Sequence, residues 1–137
     1  MPARRIRLAT AGVLGAAAAL GALAASPAAA AAPAVTVTPS TGLADGQTVS
    51  VSGSGYVAGS AIGVSECVRD TVCAEDTVHT TAAADGTFSA QYVARKQFQA
   101  TDWSTGQTIT VDCAVEQCQI VAWEQEIGPI AQPISFG

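Results

Sequence analysis

The chain has 137 residues, with six basic and eleven acidic side chains, a formal net charge of −5 at pH 7 and four cysteines. A chain this acidic repels phosphate backbones, which argues against direct binding of nucleic acid through a basic face. Its length leaves room for only a small number of domains.

The first thirty residues have the organisation of a secretory signal peptide. Three arginines precede an apolar run from Leu8 to Leu23, and Ala28 to Ala30 offers the small residues that a signal peptidase requires. The apolar run is shorter than the roughly 20 residues of a membrane-spanning helix. We therefore predict a cleaved signal over residues 1–30, a secreted extracellular protein without a membrane segment, and one mature domain over residues 31–137.

Removal of this segment makes the protein more acidic. Arg69, Arg95 and Lys96 remain against all eleven carboxylates, so the mature net charge is 3 minus 11, or −8. Such a charge favours solubility and does not by itself indicate a partner.

The mature region shows a two-residue alternation of apolar side chains, which is typical of β-strands. The runs that alternate are Val35 and Val37; Val49 and Val51; Phe88, Ala90, Tyr92 and Ala94; Ile109, Val111 and Cys113; Ile134 and Phe136. Turn signals separate them at Pro39 to Gly42, Asp45-Gly46, Gly53 to Gly59, Asp85-Gly86 and Ser104 to Gly106. About seven short strands at roughly ten-residue spacing favour an immunoglobulin-like sandwich.

The four cysteines form two close pairs, Cys67 with Cys73 and Cys113 with Cys118. Zinc sites favour about two to four residues between paired ligands, whereas five and four separate these cysteines, so no metal site is predicted. Neither pair has the Cys-x-x-Cys spacing of a redox motif. In an oxidising compartment four cysteines indicate two disulfides, and joining neighbours is the economical pairing, although three pairings are possible.

The second cysteine pair fits the end of a hairpin whose connection runs from Ala114 to Gln117. Closing a loop this short contributes roughly 2 kcal/mol to stability by chain-entropy reasoning. A loop held in this way keeps its shape without a ligand, which benefits a binding site.

Three stretches resemble the neocarzinostatin family, the secreted apoproteins of the enediyne chromoprotein antibiotics: VTVTPSTGLADGQTVSVSGSGYVAGSAIGVSEC (Val35 to Cys67), VDCAVEQCQ (Val111 to Gln119) and the terminal ISFG. The likeness covers both cysteine pairs and essentially the whole mature region. It implies an all-β fold, a seven-stranded immunoglobulin-like sandwich or barrel with a small two-stranded arm that forms a cleft, and two local disulfides, Cys67–Cys73 and Cys113–Cys118.

The same resemblance implies an antibacterial carrier and not an enzyme. Proteins of this family hold a labile, DNA-cleaving enediyne chromophore in the cleft, shield it from water and thiols, and release it. The implied partner is a hydrophobic aromatic small molecule. DNA is contacted only through the bound chromophore, the protein is a monomer, and it needs no cofactor other than this non-covalent cargo.

One strand face has the composition of a cleft wall. Gln119, Val121 and Trp123 share a face, and large apolar residues are unusual on a face that meets only solvent. An apolar strip on a concave surface suits an aromatic ligand. The resemblance assigns the Cys67–Cys73 disulfide to the floor and implies seven ligand-binding residues: Gly63, Ser65, Val78, Trp103, Gln119, Val121 and Trp123.

Two other functions stay open at this point. Val78 stands where the family has an aromatic pocket residue, and Trp123 where it has a small one, so the chain could be an immunoglobulin-like module that binds a protein or glycan and has lost the cleft. Packing of Trp103 against Trp123 with no void between them would favour that module. An enzyme would require His79 within hydrogen-bond reach of a serine or threonine.

Overall fold

The computed structural model describes residues 32–137, so the predicted signal peptide lies outside the described residues. This part of the chain forms ten strands and no helix. The strands are β1 Ala34–Thr38, β2 Gln47–Ser54, β3 Ala61–Arg69, β4 Val72–Ala74, β5 Val78–Thr81, β6 Phe88–Ala94, β7 Gln97–Asp102, β8 Thr108–Asp112, β9 Gln119–Glu124 and β10 Gly128–Pro133. Over the same residues, nothing has the length and apolar character of a membrane-crossing helix.

The strands pair antiparallel in two sheets. The smaller sheet has the order β1-β2-β6, and the larger has the order β10-β9-β3-β4-β7-β8, with β5 also paired to β3. Strand β3 is the centre of the larger sheet: one edge pairs with β9, and the other is shared by β5 and then β4. The predicted all-β class is confirmed, and the strands are more numerous than expected because the larger sheet includes the short β4 and β5.

The main core lies between the two sheets. Strands β1, β2 and β6 bury every second side chain, as their sequence predicts, and Val51 and Tyr92 are almost inaccessible to solvent. Apolar residues of the larger sheet, including Val64 and Ile120, belong to the same cluster. Ile109 differs from the prediction because it is 36% exposed, near the start of the edge strand β8.

The turn before β6 shows how the Asp-Gly signal works. Gly86 has a φ of +79°, and a Cβ at this position would lie 2.5 Å from the carbonyl oxygen of Tyr56, so a side chain cannot be accommodated. The Asp85 carboxylate accepts hydrogen bonds from the hydroxyl and the amide of Thr87, which lower the pKa of Asp85. The turn therefore fixes the point at which β6 begins.

The two disulfides join the neighbouring cysteines, Cys67–Cys73 and Cys113–Cys118, which confirms that pairing. The first links the directly paired strands β3 and β4. The hairpin predicted for the second is wrong, because β8 pairs with β7 whereas β9 pairs with β3 and β10. The amides of Val115 and Glu116 donate to the carbonyl of Asp112, so the chain turns directly after β8 and crosses to another part of the sheet.

Glu66 is a buried carboxylic acid on the core face of β3, only 1% exposed. Its Oε2 accepts a hydrogen bond of 2.8 Å from the amide of Arg95. Burial raises the pKa of the Glu66 carboxyl from 4.5 to about 7, although this hydrogen bond and the Arg95 charge oppose the rise and Asp76 and Asp45 add to it. The core thus contains a group that changes charge near neutral pH.

The raised pKa of Glu66 makes the stability of the protein depend on pH. The folded state holds this proton more tightly than the unfolded chain, so the stabilisation is complete below about pH 4.5 and is lost as the pH rises through about 7. We expect Glu66→Gln, which keeps an acceptor for Arg95, to be more stable than the parent by about 1 to 3 kcal/mol at pH 8 and equally stable near pH 4.5.

Urea unfolding of both proteins across this pH range measures the difference. Glu116→Gln, in the exposed loop between the second pair of cysteines, controls for the change in net charge. An equal difference between Glu66→Gln and the parent at all pH values would contradict this account.

Candidate functional site

A cavity of about 500 Å³ lies on the face of the larger sheet opposite the main core. Residues of β3 and β9 form its base, and side chains from β4, β5, the segment before β5 and the β7–β8 turn surround it. The lining residues are Ala61, Ile62, Gly63, Ser65, Cys67, Cys73, Thr77, His79, Trp103, Val121, Trp123 and Gln125.

The pleat of β3 and its pairing with β9 place residues in the cavity. Gly63 is the partner of Trp123, and Ser65 is the partner of Val121, so these four residues lie side by side on one face. Because successive side chains of a strand point to opposite faces, the intervening Val64 packs in the core. The same two strands therefore supply both the core and the base of the cavity.

The deepest part of the cavity combines a disulfide with a pair of hydroxyl groups. Cys67 and Cys73 are at most 1% exposed and form a small apolar cluster with Val121. The Ser65 and Thr77 hydroxyl oxygens lie 2.8 Å apart and form a hydrogen bond. One hydroxyl donates to the other, so the accepting hydroxyl still has an O–H group to offer, while the neighbouring surface is mainly carbon and sulfur.

Gly63 keeps one side of the cavity open. A Cβ at this position would lie 3.1 Å from Cγ2 of Thr77 and 3.9 Å from Nδ1 of His79. Any larger residue would occupy the space next to these side chains. The small residue on β3 thus leaves room between β5 and β9.

Two tryptophans form the outer part of the cavity wall. Trp103 is 51% exposed and Trp123 is 41% exposed, and their rings meet edge to face with centroids 6.4 Å apart at 84°. The Trp103 amide donates to the carbonyl of Thr71 at 2.9 Å, which anchors its turn to the β3–β4 connection. The tryptophans do pack on each other, as the module interpretation required, but a void of about 500 Å³ remains.

A carboxylate stabilises the turn that carries Trp103. Oδ1 of Asp102 accepts hydrogen bonds from the Ser104 hydroxyl at 2.6 Å and the Ser104 amide at 2.9 Å. These two hydrogen bonds, the one from the hydroxyl having the larger effect, lower the pKa of Asp102. The carboxylate therefore stays charged and keeps the turn in place at neutral and mildly acidic pH.

Five of the seven predicted ligand-binding residues line this cavity: Gly63, Ser65, Trp103, Val121 and Trp123. The expectation for Val78 needs correction, because Val78 pairs with Val64 and packs against the main core. Gln119 also lies outside the lining, and its Nε2 donates to Oδ1 of Asp70 at 3.0 Å. This interaction directs the Gln119 amide towards the β3–β4 turn.

The lining includes three polar residues outside the predicted ligand-binding set, namely Thr77, His79 and Gln125. Thr77 and His79 flank Val78, so they point to the opposite face, and only the pairing of β5 with β3 reveals which face that is. Gln125 continues the alternation of Val121 and Trp123, and this signal was visible in the sequence.

The arrangement does not provide a nucleophile activated by a base. His79 lies at the cavity, but among residues 32–137 its ring makes no hydrogen bond with a serine or threonine hydroxyl. Glu66, Cys113 and Cys118 have potential metal-ligand atoms within 4.8 Å of one another, but the two sulfurs form a disulfide and offer no thiolate. The geometry instead suits non-covalent binding of an apolar molecule.

The contact between the two tryptophans can be measured. We expect Trp103→Ala and Trp123→Ala to be coupled by about 0.5 to 1 kcal/mol in a double-mutant cycle of unfolding free energies, because edge-to-face aromatic pairs contribute this much beyond burial. Either single substitution should also abolish the exciton signal of paired indoles in far-ultraviolet circular dichroism. Strict additivity with an unchanged spectrum would show that the rings do not interact.

Comparisons with known proteins agree with this fold. The model of the neocarzinostatin family matches residues 35–136. The solved structure of macromomycin is similar with a TM-score of 0.70 and 38% identity, covering 77% of this chain and 100% of that chain. The solution structure of apokedarcidin is similar with a TM-score of 0.61 and 30% identity, covering 78% and 100%. No curated protein sequence matches. The family match over nearly all described residues, together with these structural similarities, shows that the chain belongs to the neocarzinostatin family.

Proposed function

We propose that this protein is a non-enzymatic carrier that binds a hydrophobic aromatic small molecule in the cavity between β3, β5, β9 and the β7–β8 turn. The observation that supports it most directly is the cavity of about 500 Å³, with indole, valine and disulfide groups in its wall. This volume lies within the range of about 300 to 1,000 Å³ that is typical of small-molecule sites.

The fixed base of the cavity also favours binding. Its base is the hydrogen-bonded pair β3 and β9, and the Cys67–Cys73 disulfide ties the adjacent strand β4 to β3. A ligand therefore does not have to order the base of the cavity, and less of the binding free energy is lost to immobilising the protein.

The two tryptophans supply the expected contacts with an aromatic ligand. Their half-exposed rings leave apolar surface uncovered, and a planar ligand can gain about 1 kcal/mol from stacking beyond the burial of area. The hydroxyls of Ser65 and Thr77, together with His79, offer the few polar groups that fix orientation in such sites.

Membership of the family makes an enediyne chromophore the proposed cargo. The function that follows is a secreted, monomeric apoprotein that protects an antibiotic chromophore from water and thiols, and meets DNA only through that cargo. The mature net charge of −8, counted for residues 31–137, is in keeping with the absence of direct DNA binding.

The exposed tryptophans also support a second candidate function. Large exposed aromatic side chains are enriched in protein interfaces, and Trp103 and Trp123 meet at one point of the surface. An interaction module that retains the family fold without its cargo would use the same two rings.

A native mass spectrum of the protein secreted by its own producer tests the carrier function. We expect an adduct of several hundred daltons that is lost on denaturation, together with near-ultraviolet absorbance beyond that of tryptophan. A chain with two disulfides and no adduct, both in freshly secreted medium and after purification, would favour the interaction module.

Binding of an uncharged planar dye, Nile red, tests the cavity itself. We expect Trp103→Ala to weaken dye binding by about fivefold to tenfold, because about 1 kcal/mol of stacking is lost. Val115→Ala is the control, since Val115 is 82% exposed and lies outside the cavity. Fluorescence titration measures both variants, and equal affinities would place the dye elsewhere.

A further inference from the structure

The buried acid Glu66 lies next to the disulfide that does not line the cavity. Its Oε1 is 3.6 Å from Sγ of Cys113, and one of its carboxyl oxygens and the sulfurs of Cys113 and Cys118 all lie within 4.8 Å of one another. Both sulfurs are in the disulfide and carry no proton, so this is a contact and not an S–H hydrogen bond. Because Glu66 is 1% exposed, water screens its charge poorly.

This contact bears on the chemistry of disulfide reduction. A thiolate attacks one sulfur and expels the other as a thiolate, and the reaction is faster when the expelled thiol has a lower pKa. Cys118 is 1% exposed whereas Cys113 is partly exposed, so we expect an external thiol to attack Sγ of Cys113 and to expel Cys118. The Glu66 carboxylate lies 3.6 Å from the attacked sulfur of Cys113 and within 4.8 Å of the expelled sulfur of Cys118, so its charge opposes both the approaching thiolate and the new negative charge.

We propose that Glu66 guards the Cys113–Cys118 disulfide electrostatically: its carboxylate slows reduction by external thiols, and its neutral form does not.

One dithiol molecule is the reductant of the Cys113–Cys118 disulfide. Its thiolate forms a bond to Sγ of Cys113, the Cys113–Cys118 bond breaks, and its electron pair leaves with Sγ of Cys118. The Cys118 thiolate then takes up a proton from the solvent, in the parent and in Glu66→Gln alike, which yields the Cys118 thiol. The second thiol of the reductant then displaces Cys113, so the reductant is oxidised to a disulfide and both cysteines are reduced.

The groups around Glu66 decide when it carries a charge. Arg95, in the β6–β7 turn, favours the carboxylate, while Asp45 before β2 and Asp76 before β5 oppose it. The hydroxyl of Tyr92, on β6, bonds to the carbonyl of Asp76, and burial raises the pKa of Tyr92 so that it stays neutral. Burial raises the pKa of Glu66 by more than Arg95 lowers it. With a pKa of about 7, Glu66 carries the charge that slows reduction in neutral and alkaline solution.

The Cys113–Cys118 disulfide ties the start of β9, a strand at the base of the cavity. Cys118 directly precedes β9, which carries Val121 and Trp123, and its carbonyl accepts a 3.1 Å hydrogen bond from the amide of Ile134. Reduction would release the covalent tie at the start of this strand. The guard therefore keeps a cavity-lining strand fixed in the presence of thiols, whether or not the proposed cargo is bound.

The purified secreted protein and its Glu66→Gln variant provide the test. Both are treated with dithiothreitol between pH 5 and 9, quenched with iodoacetamide, and digested so that mass spectrometry reports each disulfide separately. We expect the ratio of Cys113–Cys118 reduction rates, variant over parent, to be near 1 at pH 5 and to rise to roughly tenfold above pH 8. The midpoint of the rise should lie near pH 7.

Taking the ratio at each pH removes the changing thiolate fraction of dithiothreitol, which is the same for both proteins. The variant is also expected to be more stable than the parent at high pH, so faster reduction cannot result from easier global unfolding. The Cys67–Cys73 disulfide in the same molecules is the internal control and should keep a ratio near 1.

Glu124→Gln is the matched control variant, because Glu124 is also buried, at 5% exposure, but its carboxylate binds the amides of Glu126 and Ile127 in the β9–β10 turn. It should leave the Cys113–Cys118 rate unchanged. A Glu66→Gln ratio that stays near 1 or does not vary with pH would overturn the proposal. Equal acceleration of both disulfides, or the same acceleration by Glu124→Gln, would also overturn it.

Discussion

The two faces of β3 are the constraint on which the rest of this structure depends. Strand β3 pairs along one edge with β9 and along the other with β5 and β4, so it can neither tilt nor slip without breaking three ladders. Its alternate residues then have opposite environments: Val64 and Glu66 face the core, while Gly63 and Ser65 face the cavity. A shift of one residue would exchange the two sets, burying the cavity residues and exposing the core.

The cavity is possible because its base does not depend on a separate hydrophobic layer for support. The main core holds β3 and β9 from beneath, and the Cys67–Cys73 disulfide with Val121 replaces a second core on the cavity side. Covalent support of this kind matters in a domain of about 100 residues, because so small a core supplies limited stability. The half-exposed tryptophans can then remain available to a ligand, since the fold does not require their burial.

Much of the fold could be predicted, because the two-residue alternation of apolar side chains in β1, β2 and β6 indicates which side chains are buried. Pairing between distant strands could not be predicted, and both the mistaken Cys113–Cys118 hairpin and the placement of Val78 in the cleft depend on such pairing. The spacing of Cys113 and Cys118 fits a hairpin as well as it fits a crossover, and only the partners of β8 and β9 distinguish them. Thr77 and His79 line the cavity whereas Val78 does not, because the register of β5 on β3 is set by residue pairs that lie 14 to 20 positions apart in the chain, from Val64–Val78 to Ala61–Thr81.

Glu66 illustrates a different limit. Charged residues are rarely buried completely, so nothing in the sequence around Glu66 predicts its burial in the core. The structure shows why the burial is tolerated: the amide of Arg95 supplies a hydrogen bond, and the raised pKa lets the group become neutral in acid. A leucine at this position would fill the core without a variable charge, but it would leave the Arg95 amide without that acceptor. Glu66 thus accepts a hydrogen bond that holds the β6–β7 turn, and its carboxylate places a negative charge beside the Cys113–Cys118 disulfide. Because that charge is buried, the folding stability of the protein falls as Glu66 ionises near neutral pH.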